Sequence, residues 1–137
     1  MRCLGENKGS YFERRKLTEE IYEGIKISEI FASVQGEGSQ VGLPTRFVRV
    51  AGCNFSEAGH SCHYCDTSYA WHSSLGKLMS VPDIVQVLEK LQVAGNWVCV
   101  TGGEPLYHFR IWKLLSALRT KGFKVAVETN GSYLIKP

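Results

Sequence analysis

The chain has 137 residues, of which 44% are hydrophobic and 21% charged, with a formal net charge of +3; that length and balance fit one globular domain able to bury a core. No run of about 18 apolar residues occurs, which excludes a membrane-spanning helix. With Arg14-Arg15-Lys16 as the densest basic run, so small a charge argues against nucleic acid as a partner. Met1 to Ser10 has no apolar stretch, so no secretory leader is expected and a cytoplasmic location follows.

Residues 1–24 are polar without a clean period and read as an N-terminal extension, with Leu17 to Tyr22 as a short helical candidate. From Ile25 to Phe31 apolar and polar residues alternate, which predicts a half-buried strand to about residue 34. Gln35-Gly36-Glu37-Gly38-Ser39, then Gly42 and Pro44, form a loop, and Thr45 to Ala51 is a second strand. A polar loop holding three cysteines runs to about residue 76. Ser80 is placed to cap a helix, with Pro82 in its first turn and Asp83 three residues on. Val81, Ile84, Val85, Leu88 and Leu91 continue it at helical spacing, so residues 81–93 should be an amphipathic helix. Trp97 to Val100 is a short strand. Residues 107–121 form a second helix with Ile111, Leu114, Leu115 and Leu118 on one face, and Gly122 ends it. Phe123 to Glu128 is a strand, and Asn130-Gly131 is a turn. Alternation of strand and helix from residue 45 onward implies an α/β fold of parallel βα units. A complete eightfold barrel needs about 250 residues, so a partial sheet or a truncated chain is expected, its last strand left with an unpaired edge.

Function in parallel α/β folds collects at the C-terminal ends of strands. Four unusual segments follow the four predicted strands: Gln35 to Gly38, Cys53 to Thr67, Gly102 to Pro105 and Glu128 to Gly131. They are expected on one rim. Five cysteines without a secretory leader do not suggest a disulfide framework; Cys3 reads as a tail residue and Cys99 as a small buried hydrophobe. Cys53-x8-Cys62-x2-Cys65 remains. Three thiolates can hold three irons of a [4Fe–4S] cube and leave the fourth iron free for a chelating ligand. They can also form a zinc site completed by His60 or His63. The spacing alone leaves both open. Thr101-Gly102-Gly103-Glu104-Pro105 shifts the balance to the cluster. Paired glycines let backbone groups approach a ligand, Glu104 offers an acceptor for an ammonium group, and Pro105 fixes the exit from the loop.

Cys53, Cys62, Tyr64, Cys65 and Gly102 to Pro105 resemble a radical S-adenosylmethionine enzyme. More narrowly, Gln35-Gly36-Glu37-Gly38, Arg49, Gly52-Cys53-Asn54, Cys65-Asp66-Thr67 and Glu128-Thr129-Asn130-Gly131 resemble the 7-carboxy-7-deazaguanine synthase family over residues 25–133. The resemblance implies a modified, incomplete TIM-like barrel of parallel βα units, with residues 25–137 as the N-terminal portion of a radical SAM domain. It implies a [4Fe–4S] cluster whose open iron binds S-adenosylmethionine, whose one-electron cleavage yields a 5′-deoxyadenosyl radical. That radical would drive ring contraction of 6-carboxy-5,6,7,8-tetrahydropterin to 7-carboxy-7-deazaguanine, with loss of ammonia, in queuosine and 7-deazapurine biosynthesis. Mg2+, a homodimer and an electron donor such as flavodoxin are implied with it. By the same resemblance, Cys53, Cys62 and Cys65 ligate the cluster, and Tyr64 lies against the adenine. Gly102, Gly103 and Glu104 hold the methionine part, and Glu128 and Asn130 make further cofactor contacts. Gln35, Glu37 and Arg49 bind substrate, as a donor–acceptor edge and a carboxylate require, and Thr67 is the Mg2+ ligand.

Each assignment has a plainer rival: Arg49 facing solvent on its strand, Glu37 as a loop charge, Thr67 capping a turn, Asp66 orienting Thr67 or taking its place. His60, His63, His72 and His108 have no catalytic role in this reading. The chain departs from the family in two places. The gap between its first two cysteines is longer than the superfamily's usual three residues, room for a small turn or helix over Phe55 to Ser61. It also stops at Pro137, where family members continue, which implies a C-terminally truncated member. The alternatives are another radical enzyme of the superfamily, such as a glycyl-radical activase, a zinc-stabilised non-enzymatic module, and an inactive remnant.

Overall fold

The computed structural model describes residues 24–134; the expected extension over residues 1–24, with its helical candidate at Leu17 to Tyr22, lies outside them apart from Gly24. The strands are β1 (Gly24–Val34), β2 (Pro44–Val50), β3 (Lys77–Ser80), β4 (Trp97–Gly102) and β5 (Lys124–Val127). The α-helices are α1 (Asn54–Glu57), α2 (Val81–Lys90) and α3 (Ile111–Thr120). Together they make a mixed α/β unit with one five-stranded sheet in the order β3-β1-β2-β4-β5.

The expected parallel units are present in β2, β4 and β5, which pair parallel, as chains linked through α2 and α3 can. β1 departs from that pattern. It pairs antiparallel with both β2 and β3. Its C-terminal residue Val34 lies opposite Pro44 at the start of β2, so Gln35 to Gly38 leave the end of the sheet opposite to the other three motifs. The single rim expected from sequence is therefore corrected to three motifs on one rim and a fourth that reaches the same face from the far end. β3 was not expected; its four residues become a strand because β1 offers them a ladder from Gly24 to Ile27.

Local chemistry explains the helix ends. The Ser80 hydroxyl accepts from Asp83 N–H at 3.3 Å and donates to the Asp83 carboxylate at 2.6 Å, which caps α2. At the end of α3, Gly122 takes a φ of +84°. Gly122 N–H bonds Arg119 C=O and Phe123 N–H bonds Leu118 C=O, the paired bonds of a Schellman cap. Both helices are shorter than their hydrophobic periodicity predicts. α2 stops at Lys90, not 93, because the buried Arg46 guanidinium takes the carbonyls of Leu88, Leu91, Val93 and Gly95 at 3.0–3.3 Å. α3 starts at Ile111, not 107, because Pro105–Tyr107 forms a separate 3-10 turn held by the Glu104 side chain.

The two sheet faces differ sharply. Val48, Val50, Val98 and Val100 pack against Ile84, Leu88, Leu114 and Leu118 of α2 and α3 in the apolar core; each such buried side chain contributes about 1.5–3 kcal/mol. Ile25 and Ile27 join that core, but the register of β1 shifts between Ile27 and Glu29. This bulge reverses the alternation, so beyond it Ile30 packs on the helix side, while Glu29 and Phe31 stand beside Arg49 and Phe47 on the other. β5 pairs only with β4 among the described residues, as expected for the last strand.

Candidate active site

Alternation along the strands puts Phe47, Arg49, Cys99, Thr101 and Glu128 on the face turned away from the helices. This face opens onto a cavity of about 580 Å³. Of the residues singled out from sequence, Gln35, Glu37, Arg49 and Thr67 line it. So do Cys62, Tyr64 and Cys65, with Gly102, Gly103, Glu128 and Asn130. Cys53 and Glu104 stand behind the wall, buried. A larger groove of about 840 Å³ runs between α2 and α3 past Trp112 and Lys113, and none of these residues borders it.

The cysteine loop starts where β2 ends. Gly52 N–H and Cys53 N–H bond the carbonyls of Ala70 and Trp71 at 2.9 and 2.8 Å, so the far end of the loop returns beside its beginning. The extra residues between the first two cysteines form α1. Cys65 N–H bonds Cys62 C=O at 3.2 Å, a tight turn that puts both thiols at the cavity. The Cys65 sulfur accepts a hydrogen bond from the Trp71 indole N–H at 3.1 Å. Among the described residues, no group of three or more His, Cys, Asp or Glu side chains is disposed to hold a single metal ion, and His60 and His63 are both exposed. Tetrahedral zinc needs four ligands converging on one point. A cubane takes three thiolates on three different irons, and Cys53, Cys62 and Cys65 offer that number. Cys99 is fully buried, and burial, with Glu128 beside it, pushes its thiol up to about 12; it stays a protonated core residue.

The glycine turn is fastened to the cysteine loop by main-chain bonds. Gly103 N–H bonds Val50 C=O at 3.1 Å and Glu104 N–H bonds Gly52 C=O at 3.0 Å. Gly102 has a φ of +129°, and a Cβ there would collide with the Val50 backbone; at Gly103 it would collide with the Gly52 carbonyl. Both positions demand glycine for packing. Glu104 is held from within the protein. Its carboxylate has no exposure, and three internal donors engage it: Leu106 N–H at 2.9 Å, the Thr129 hydroxyl at 2.8 Å and Asn130 N–H at 2.7 Å. It is the knot that ties the glycine turn to the Thr129–Asn130 segment, and it does not face the cavity where a direct ammonium contact was expected. Asn130 then donates to Asn54 at 3.1 Å, and Asn54 to Ser132 at 3.1 Å, which links this segment to the residue after Cys53.

Across the cavity, the Gln35 amide donates to Glu128 at 3.0 Å and accepts from Glu37 N–H at 3.1 Å. Gln35 is buried, whereas the Glu37 side chain is exposed. Arg49 does not face open solvent: its Nε bonds Glu29 at 2.8 Å, its Nη1 lies 3.5 Å from the Thr67 hydroxyl, and Thr67 donates to Asp66 at 2.7 Å. The Tyr69 hydroxyl also donates to Glu29 at 2.9 Å; desolvation, then this bond, raises its pKa above the usual 10. Glu29, Tyr69 and Trp71 were missed from sequence. For Glu29 a signal existed, since the apolar phase slips from Ile25 and Ile27 to Ile30. For Tyr69 and Trp71, in an aperiodic loop, none did.

Comparison with known proteins agrees with this geometry. 7-Carboxy-7-deazaguanine synthase of Pyrobaculum aerophilum is 47% identical over 111 residues, covering 80% of this chain and 47% of the relative. That of Hyperthermus butylicus is 37% identical over 118 residues, covering 85% and 47%. That of Chlorobaculum tepidum is 45% identical over 107 residues, covering 78% and 44%. The chain thus spans about half the length of the curated relatives it matches. The crystal structure of QueE from Escherichia coli is similar at a TM-score of 0.68 and 26% identity, over 86% of this chain and 59% of that one. The family model described as the Radical SAM superfamily matches residues 47–136, which include the cysteine loop, the glycine turn and the Glu128 segment: the chain belongs to that superfamily.

Proposed function

We propose that residues 25–137 are a portion of a 7-carboxy-7-deazaguanine synthase, an incomplete TIM-like barrel that takes part in the ring contraction of 6-carboxy-5,6,7,8-tetrahydropterin with loss of ammonia. The observation that carries this reading is the convergence of Gln35, Arg49, Thr67 and Glu128 with Cys62 and Cys65 on one cavity. A general radical enzyme needs the cysteines and the glycine turn. The added polar groups suit a flat heterocycle with a carboxylate. When bound, the cluster and S-adenosylmethionine supply one-electron, hydrogen-abstracting chemistry.

The chain's own residues position the reactants. Cys53, Cys62 and Cys65 would hold the cluster, Cys53 being buried and the other two lining the cavity. Backbone groups of Gly102 and Gly103 take the methionine part, and Tyr64, 89% exposed, is free to lie against the adenine. Asn130, fixed by Glu104, and Glu128 flank them. Gln35 gives one amide hydrogen to Glu128; its second N–H and the other Glu128 oxygen are the donor and acceptor for a pterin edge. Glu37 extends that edge, and Arg49 offers a fork to the carboxylate. Thr67 and Asp66 are acceptable hard ligands for Mg2+; the guanidinium 3.5 Å from Thr67 opposes a cation there, so the ion fits together with an anionic ligand such as the substrate carboxylate. No helix among the described residues is long and apolar enough to cross a membrane. A cytoplasmic setting, a homodimer and a flavodoxin-like donor complete the reading by resemblance.

The test is anaerobic reconstitution with iron and sulfide, followed by incubation with S-adenosylmethionine, a chemical reductant and the pterin, with mass detection of the deazaguanine and calorimetric titration of the pterin. Product, or pterin binding lost in Gln35→Ala, supports the reading. Cofactor cleavage without product or pterin binding points to another reaction within the superfamily and overturns it.

A further inference from the structure

Trp71 touches the cysteine loop at both ends. Its carbonyl accepts from Cys53 N–H at 2.8 Å, alongside the bond from Gly52 N–H to Ala70. Its indole N–H donates to Cys65 Sγ at 3.1 Å. Ala70, just before it, is fully buried, so the backbone that carries the indole is anchored. An indole N–H is a donor only, and here it is aimed at sulfur. One residue therefore fixes the main chain at the first cysteine and the side chain at the third.

We propose that Trp71 is a positioning residue that holds Cys65 for the cluster and, through its indole N–H, raises the reduction potential; this rests on the cluster reading of Cys53, Cys62 and Cys65. A thiolate bound to iron keeps negative charge on sulfur, and an N–H dipole aimed at that sulfur stabilises it. Reduction adds one electron from an external donor and moves no proton. The more negative reduced state gains more from the dipole than the oxidised state does, so the N–H favours reduction. A tryptophan that only filled space would hold the loop equally well without its N–H.

The experiment compares the reconstituted 137-residue chain with Trp71→Phe and with a chain carrying 3-benzothienylalanine at position 71, which keeps the two-ring shape and lacks the N–H. Iron content and the potential from a spin-resonance-monitored titration are read for each. Both replacements are expected to titrate at more negative potential. At a fixed poise, the ratio of reduced to oxidised cluster should fall about tenfold, which is 59 mV for one electron. Loss of iron from the benzothienyl chain, in which ring sulfur replaces the N–H and the two-ring shape is kept, also supports the role. A benzothienyl chain with wild-type iron and wild-type potential overturns the proposal, whatever Trp71→Phe does, and leaves the cluster reading standing. A wild-type chain that takes up no iron overturns both.

Discussion

Glu104→Gln separates a carboxylate that builds the site from one that binds a ligand. In the structure, Oε1 accepts from Leu106 N–H and the Thr129 hydroxyl, and Oε2 accepts from Asn130 N–H. Glutamine keeps the shape and one of the two acceptors. With its oxygen toward Leu106 and Thr129, its amide NH2 faces Asn130 N–H, donor against donor. A hydrogen bond to a charged group is worth about 1.5–3 kcal/mol, and a buried donor left without a partner costs about 1–3 kcal/mol; an overall loss of about 3 kcal/mol follows. For a urea m value of about 2 kcal/mol/M, the unfolding midpoint should fall by about 1.5 M in the cofactor-free chain. The loss should also be local. Asn130 N–H should exchange with solvent much faster, and Asn54, tied to Asn130, should loosen with it, while Val100 in β4 keeps its protection until global unfolding. A midpoint within about 0.3 M of wild type, with Asn130 exchange unchanged, would refute the knot and return Glu104 to a ligand-binding role.

Arg46→Leu removes a side chain that bonds the Leu88 carbonyl in the last turn of α2 and three carbonyls beyond it; a loss of about 3–5 kcal/mol should appear as a fall in thermal midpoint of about 10 °C or more. Cys62→Ala should abolish iron uptake while Cys99→Ala retains it, since the Cys99 thiol is buried and protonated; equal iron loss in both would sink the ligand assignment. Gly103→Ala places a methyl against the Gly52 carbonyl, so the chain should unfold at lower denaturant or lose the cavity, visible as lost iron binding. His108 gives a pH signature. Desolvation holds its imidazole below the ordinary 6.5, against the backbone of Gly52 and Ala51, which raises it, and its Nε2 is buried with no hydrogen-bond partner among the described residues. The unfolded chain therefore takes the proton first. Stability should fall as pH drops through about 6.5 and level off below the folded-state pKa. His108→Asn should flatten that part of the urea-midpoint profile between pH 8 and 5, and an unchanged profile would count against the burial argument.

Features whose physics is local were legible in the sequence. Ser80 with Asp83, and Gly122, fix helix ends through bonds within a few residues. β2, β4 and β5 declare themselves by apolar runs, and the cysteines and paired glycines announce their chemistry by residue type and spacing. What needed partners distant in the chain was not legible. β3 is a strand because β1 lies beside it. Arg46 shortens α2 from about forty residues away, and the bulge in β1 turns Glu29 toward Arg49. Residue type marked Glu104 as polar and near the site, but only the tertiary structure turned its carboxylate inward to Thr129 and Asn130. The antiparallel course of β1 likewise brings Gln35 to Glu128 from the opposite end of the sheet. Sequence alone thus determined which groups are available for chemistry. The tertiary structure decided which of them face the cavity and which hold it in shape, because a buried polar group is directed by whichever donors packing brings within reach.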